Sequence, residues 1–282
     1  MRSESWQRAE GPADLRQDRA HSARVYDYFL GGKDNYPADR EAAAKIEQAI
    51  PSVRGVARDN RAFMVRAVRH LSELGVRQFL DIGTGIPTEP NLHQVAQATA
   101  SDARVVYVDN DPIVLAHARA LLIGTPDGVT RYVQSDLTAP ERILSDIAVR
   151  ETLDFDRPVA LSLIALCHFV PGDRIYGIVD TLLAPLPSGS YLVMTHLTTD
   201  FDPKMVEGTV QAYRQSGIEM EARDYDGVSH FFRDLELLEP GIVAIENWYP
   251  EGERSPAPEV TELPTGAARP PAAGYAAVGR KK

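Results

Sequence analysis

The segment Phe79-Leu80-Asp81-Ile82-Gly83-Thr84-Gly85-Ile86-Pro87-Thr88 places an acid and two closely spaced glycines between a short apolar run and a new helical pattern. Such a run reads as a buried strand entering a tight turn and then a helix N-terminus. Glycines at the turn let the backbone approach a ligand where a Cβ would clash. A helix start adds unpaired N–H groups and a positive dipole, which suits a carboxylate or phosphate. The chemistry expected is the cradling of a nucleotide-like small molecule. From this turn alone three readings stay open: S-adenosylmethionine, a dinucleotide such as NAD, or a plain turn with no ligand. The dinucleotide fingerprint needs a third glycine where Thr88 stands. Asp81 would sit badly beside a pyrophosphate and well beside a sulfonium that carries an α-amino group.

Two more acids extend the pattern. Val105-Val106-Tyr107-Val108 ends in Asp109, followed by Asn110 and Asp111-Pro112. An acid there can accept both hydroxyls of an adenosine ribose, but a dinucleotide enzyme would use the same acid, and a helix cap is the plainer alternative. The third run, Thr130 to Gln134, leads into Ser135-Asp136-Leu137. Asp136 can accept an adenine 6-amino group, and the N–H that follows can reach a ring nitrogen. A turn or cap is again the alternative.

These acids must be positioned by strands, and the hydrophobic periodicity supplies them. Strands are expected at 77–82, 104–109, 130–134, 158–166, 189–196, 240–248 and 274–280. Helices are expected at 88–100, 111–123, 139–149, 172–185, 203–216 and 229–238. Strand–helix alternation implies an α/β, doubly wound, mostly parallel seven-stranded sheet, and the continuous apolar run at 159–166 suits its centre. The last two strands are expected as an antiparallel hairpin at the sheet edge. Residues 1–20 read as a disordered leader. Residues 21–282 read as one domain: an N-terminal helical lid at 21–75, with Asp39 capping its second helix, and an α/β core at 76–282.

Asp81-x-Gly83-x-Gly85, Asp109 and Ser135-Asp136-Leu137 resemble motifs of the class I S-adenosylmethionine-dependent methyltransferases. The stretch from Ser22 to Tyr36, with Asn60-Arg61-Ala62-Phe63 and the ending Val278-Gly279-Arg280-Lys281, resembles an actinobacterial-type S-adenosyl methyltransferase family, formerly a domain of unknown function. The resemblance covers the chain from about residue 20 onward and implies a Rossmann-like, seven-strand fold with its last strand antiparallel. It also implies S-adenosyl-L-methionine as cofactor and S-adenosyl-L-homocysteine as product. The cofactor set is then Arg61, Asp81, Gly83, Thr84, Gly85, Asp109, Asn110, Asp136, Leu137 and Ala165. Pro87 departs from the wider class, because it stands where a third glycine is common and has no N–H to donate.

Methyl transfer asks the protein to align donor and acceptor and, for some acceptors, to take a proton. His168, after the fourth strand, is the candidate base, against a structural histidine satisfied by a carbonyl. His196 and His230 read as structural, and Cys167 as a core residue. Lys33, Asp34, Asn35 and Tyr36 are expected to close over the ligand and build part of the acceptor pocket, against an ordinary turn between helices. Arg61 can pair with the donor's carboxylate, against a solvated arginine face.

The seven histidines are dispersed and one cysteine is present, so no metal site is expected. A net charge of −10 argues against nucleic acid and anionic membranes as partners. The longest near-apolar run is about 12 residues, too short to span a bilayer. With no apolar signal core and only five lysines among 30 basic residues, the chain reads as cytoplasmic and bacterial. The function expected is methyl transfer to a small-molecule acceptor. The alternatives are a non-catalytic regulatory protein that binds the donor or its product, and an NAD(P)-dependent oxidoreductase.

Overall fold

The computed structural model describes residues 16–121, 124–250 and 273–282. Three helices come first: α1 (Ser22–Phe29), α2 (Pro37–Ala49) and α3 (Val53–Glu73). Alternation follows through β1 (Gln78–Ile82), α4 (Leu92–Thr99), β2 (Arg104–Asp109), α5 (Pro112–Leu121) and β3 (Val129–Gln134). It continues through α6 (Pro140–Ser145), α7 (Ile147–Thr152), β4 (Ala160–Leu163), α8 (Arg174–Leu183), β5 (Tyr191–Leu197) and α9 (Pro203–Gln215). The chain closes with α10 (Tyr225–Ser229), β6 (Leu235–Leu237), β7 (Val243–Ala244) and β8 (Gly274–Lys281).

The sheet order is β3-β2-β1-β4-β5-β8-β6, with β7 also paired to β8. The first five strands in that order run parallel to one another, and β8 is antiparallel to β5, β6 and β7. Side chains alternate between two cores. Leu80, Ile82, Val106 and Leu161 pack with Ile175 and Val179 of α8. Phe79, Val105, Ala160 and Val193 pack on the other face with Phe63 and Val68 of α3 and Val95 of α4. Asp81 shares its parity with Phe79, so it faces the α3 side of the sheet.

Three expectations are corrected. The sheet has eight strands rather than seven, the additional one being the three-residue β6. β8 pairs antiparallel with β7 as expected, but it lies inside the sheet between β5 and β6 rather than at the edge. Its Tyr275 and Ala277 feed one core while Ala276 and Val278 feed the other, and a strand buried on both faces belongs inside a sheet. The expected helix at 229–238 is instead the end of α10, a 3-10 turn at His230–Phe232 and strand β6. There the alternation of Leu235 and Leu237 is too short to separate from helical spacing.

Boundaries also move. The strand expected at 158–166 stops at Leu163 because Ala165 adopts φ +51° and the chain turns. The helix expected at 139–149 splits into α6 and α7 at Asp146, which is extended and caps α7 by accepting the Ala148 N–H. The strand expected at 240–248 shrinks to β7, followed by a 3-10 turn. Of the expected leader, residues 16–20 are held: Arg24 Nη2 donates to the Arg16 and Arg19 carbonyls at 3.3 and 2.9 Å. Residues 1–15, residues 251–272 and the last two residues of the expected helix 111–123 lie outside the described residues.

The polar stretch after α1 folds back onto that helix. The buried Asp27 carboxylate accepts the Asn35 Nδ2–H at 2.9 Å and the Asp34 N–H at 3.1 Å. A Cβ at Gly32 would run into the same carboxylate. Asp39 is not the cap of α2 but its third residue, and its Oδ2 accepts the Tyr36 N–H at 2.8 Å in a capping box. None of the helices among the described residues is long and apolar enough to cross a membrane.

Candidate functional site

A cavity of about 330 Å³ lies outside the carboxyl ends of the parallel strands. β1 has β2 on one side and β4 on the other, so strand order reverses at β1, the place where open α/β sheets bind ligands. Asp81, Asp109 and Asp136 all line the cavity.

The glycine turn is held from beneath. Gly83 donates to the Val108 carbonyl at 2.8 Å, and the Gly85 N–H donates to Asp109 Oδ2 at 2.8 Å. This corrects the expectation of free N–H groups at a helix start. α4 begins only at Leu92, and the turn's own amide is taken by Asp109. Both glycines have positive φ, +75° and +70°. A Cβ at Gly83 would lie 2.5 Å from Leu166 Cδ1, whereas one at Gly85 meets nothing within 4 Å and would enter open space. Pro87 does not line the cavity. The loop beyond it is clamped by Arg61 of α3, whose Nη2 donates to the Thr88 and Pro90 carbonyls at 2.6 and 2.5 Å. Arg61 therefore belongs to the cavity wall and not to a solvated face.

The three acids differ electrostatically. Burial pushes the Asp81 carboxyl up to about 6, against the opposing influence of Ser162, Arg61 and Thr84. Burial also raises Asp109, although its oxygens accept the Asp111 N–H at 2.9 Å and the Gly85 N–H. For Asp136 burial acts upward, but hydrogen bonds from Thr138 and Asn110 outweigh it and hold the carboxyl below its usual range. Asn110 Nδ2 donates to Asp136 Oδ2 at 2.9 Å, so the ends of β2 and β3 are tied together. The Leu137 N–H makes no hydrogen bond to any described residue.

On the other side of β1 a buried polar chain crosses the cavity wall. The Ala165 N–H donates to Thr195 Oγ1 (2.8 Å), which donates to Asn60 Oδ1 (2.7 Å). Asn60 Nδ2 donates to the Tyr26 hydroxyl (2.9 Å), which donates to the Ala57 carbonyl (3.1 Å). The chain joins α1, α3, β5 and the turn after β4, and each hydroxyl hydrogen in it has a partner.

His168 sits in the 3-10 turn after β4, 8% exposed, and its Nδ1 is buried without a hydrogen-bond partner. Burial, His196 and Arg223 hold it well below the usual histidine range, so the ring is neutral. His196 also lines the cavity but is fully engaged: Nδ1 bonds the Leu197 carbonyl at 2.7 Å and Nε2 faces Arg223 Nη1 at 3.1 Å. With Arg223 donating, His196 carries its proton on Nδ1. His230 packs on Tyr176 away from the cavity, and burial pushes the core thiol of Cys167 up to about 12.

Lys33, Asp34, Asn35 and Tyr36 do not line the cavity. Lys33 and Asp34 are exposed, Asn35 braces Asp27, and Tyr36 packs near Ile86 and Ile113. The N-terminal wall comes instead from α1, through His21, Ala23, Tyr26 and Phe29. Thr195 escaped sequence reasoning, although its place at the carboxyl end of β5 was a usable signal. Tyr213 and Met220 also line the cavity, and no local sequence signal marks them.

Comparisons with known proteins identify the family. A DUF574 family protein from Streptomyces avermitilis MA-4680 is 47% identical and superposes with a TM-score of 0.85, covering 95% of this chain and all of that one. A candidate methyltransferase from Thermobifida fusca YX is 38% identical, with a TM-score of 0.83 over 97% and 99% of the two chains. The plantazolicin methyltransferase, solved with a pentazolic desmethylPZN analog and SAH, is 12% identical with a TM-score of 0.50 over 92% and 96%, a likeness of fold alone. No curated protein gives a significant match. The S-adenosyl methyltransferase family matches residues 8–282, which decides between the donor readings left open by the glycine turn. The chain belongs to that family and is an S-adenosylmethionine-dependent methyltransferase.

Proposed function

We propose that the cavity holds the methyl donor across the ends of β1, β2 and β3 and transfers its methyl group to a small-molecule acceptor entering from the β4–β5 side. The observation that carries this reading is the joint placement of Asp81, Asp109 and Asp136 on one cavity beside the open face of Gly85. Asp109 accepts ribose hydroxyls with the lone pairs that Gly85 and Asp111 leave free. Asp136, with Asn110 and the Leu137 N–H, faces the adenine edge. Asp81 faces the positively charged amino-acid end, and Arg61 is near enough to balance a carboxylate there. The bound donor supplies an electrophilic methyl group on a sulfonium. Ala165, in its left-handed turn, shapes the wall where donor and acceptor meet. The lone, buried Cys167 suits a reducing, cytoplasmic compartment.

Asp81 gives the test. Its carboxyl titrates near 6 in the free protein, and a cationic ligand favours the ionised form. Donor affinity should be level above that pH and fall by up to about tenfold per unit below it. The profile of Asp81→Asn should be flat and lower. The same raised value means that ionised Asp81 costs stability above pH 6, and this cost disappears as pH falls toward the ordinary carboxylate range. At neutral pH, Asp81→Asn should therefore stabilise the free protein by about 1–2 kcal/mol while weakening the donor. Calorimetric titrations across pH check this; a pH-independent affinity in the unmodified protein would remove Asp81 from the cationic end.

A further inference from the structure

The β4–β5 side of the cavity differs from the donor side in one respect: no charged side chain among the described residues lines it. The charged residues that line the cavity are Arg61, Asp81, Asp109 and Asp136, all on α3 or at the ends of β1 to β3. Beyond them the wall is Phe29, Val53, Ala57, Phe169, Leu197 and Met220, which belong to one apolar cluster under α1, α2, α3 and α9. Burying an ammonium, carboxylate or phosphate there would have no compensating partner.

The polar side chains on this wall are nearly all spent. Tyr26, Asn60 and Thr195 bond one another. Thr209 donates to the Met205 carbonyl at 2.8 Å, and both nitrogens of His196 are engaged. Two groups remain. His168 Nδ1 is buried and has no partner. The Tyr213 hydroxyl makes no hydrogen bond to any described residue, and Tyr213 is only 7% exposed. Between them stands Phe169, its ring centroid 4.5 Å from that of His168 and 5.7 Å from that of Tyr213. A native interior leaves few buried polar atoms unpaired, so His168 Nδ1 on the cavity wall points to a ligand that pairs it, and the Tyr213 hydroxyl on the same wall is free to join it.

We propose that the acceptor is an uncharged, flat, largely apolar molecule with an ionisable ring hydroxyl, seated against Phe169 between Tyr213 and His168, and that methylation occurs on that oxygen. This rests on the donor reading above. The Tyr213 hydroxyl donates to a second oxygen or a π face of the acceptor and orients it. His168 takes the acceptor's proton. The oxygen's lone pair forms the new O–CH₃ bond as the S–CH₃ bond breaks, and that electron pair stays on sulfur. The neutral ring of His168 is in the right state to accept a proton throughout the neutral range. The fully bonded His196 holds its neighbour's ring edge-on, 5.5 Å away, and takes no proton itself.

The test presents four probes to the protein with methyl-labelled donor: three naphthalenes of similar size, namely 2-naphthol, 2-naphthoic acid and the ammonium of 2-(aminomethyl)naphthalene, and adenosine monophosphate as a phosphate-bearing probe. Label should go to 2-naphthol above the others. His168→Gln should lower kcat on it about 100-fold. Tyr213→Phe should instead raise KM about tenfold with kcat nearly kept. Both variants should bind S-adenosylhomocysteine as the unmodified protein does, which certifies their folding. Preferential labelling of a charged probe overturns the proposal. So does label on none of the four while S-adenosylhomocysteine still binds, and so does a His168→Gln variant that keeps its kcat. Failure of S-adenosylhomocysteine to bind the unmodified protein would instead overturn the donor reading beneath it.

Discussion

Replacing Asp109 with alanine should lower affinity for S-adenosylmethionine by about 100-fold or more, roughly 3 kcal/mol. The effect is large because the carboxylate has two tasks. It is expected to accept the ribose hydroxyls, and it already fixes the glycine turn through Gly85 and the start of α5 through Asp111, at 2.8 and 2.9 Å. Alanine strands the Gly85 N–H at the cavity wall and frees the turn to move. Asp109→Asn keeps one acceptor oxygen and should lose less. Titration calorimetry on variants with intact circular dichroism measures both. An affinity for Asp109→Ala within about threefold of the unmodified protein would mean that the ribose lies elsewhere.

Gly83 and Gly85 should separate cleanly when each is changed to alanine. Both backbones are left-handed, so each substitution carries conformational strain of about 1–2 kcal/mol. At Gly83 the new methyl also meets Leu166 Cδ1 at 2.5 Å, and Leu166 packs against the core of the β4 side. Gly83→Ala should cost about 2–5 kcal/mol in total, read as a lower denaturant midpoint. At Gly85 the methyl meets nothing within 4 Å, so stability should fall only by the strain. That open space is the expected ligand volume, and donor affinity should drop about tenfold or more. Chemical denaturation of the free proteins alongside donor titration gives the pattern. Equal stability losses with unchanged binding for Gly85→Ala would place the ligand off this turn.

The part of the cavity wall proposed to hold the donor was legible because acids and glycines at strand ends carry a signal within a few residues of sequence. Asp81, Asp109 and Asp136 each close an apolar run, and the sheet gathers such ends at one crevice. The wall proposed for the acceptor was not legible, because it is assembled from Phe29, Val53, Phe169, Tyr213 and Met220, which are far apart in the chain and pattern as ordinary core. The lid expectation for residues 33–36 followed from the family resemblance of that stretch. Asp34 and Asn35 are bonded to Asp27 and Arg40, and the N-terminal cavity wall is α1. The sheet's far edge was misread for a related reason. β6 and β7 have three and two residues, too few for a period to register, and β8 reaches its interior place only by pairing across the chain.

The central claim is that the methyl donor occupies the crevice at the ends of β1, β2 and β3. Titration calorimetry of the full chain with S-adenosylhomocysteine, with NAD as the control, tests it most directly. One-to-one binding of S-adenosylhomocysteine is expected, weakened about 100-fold or more in Asp109→Ala, and no heat with NAD. Saturable binding of NAD with no response to S-adenosylhomocysteine would contradict it.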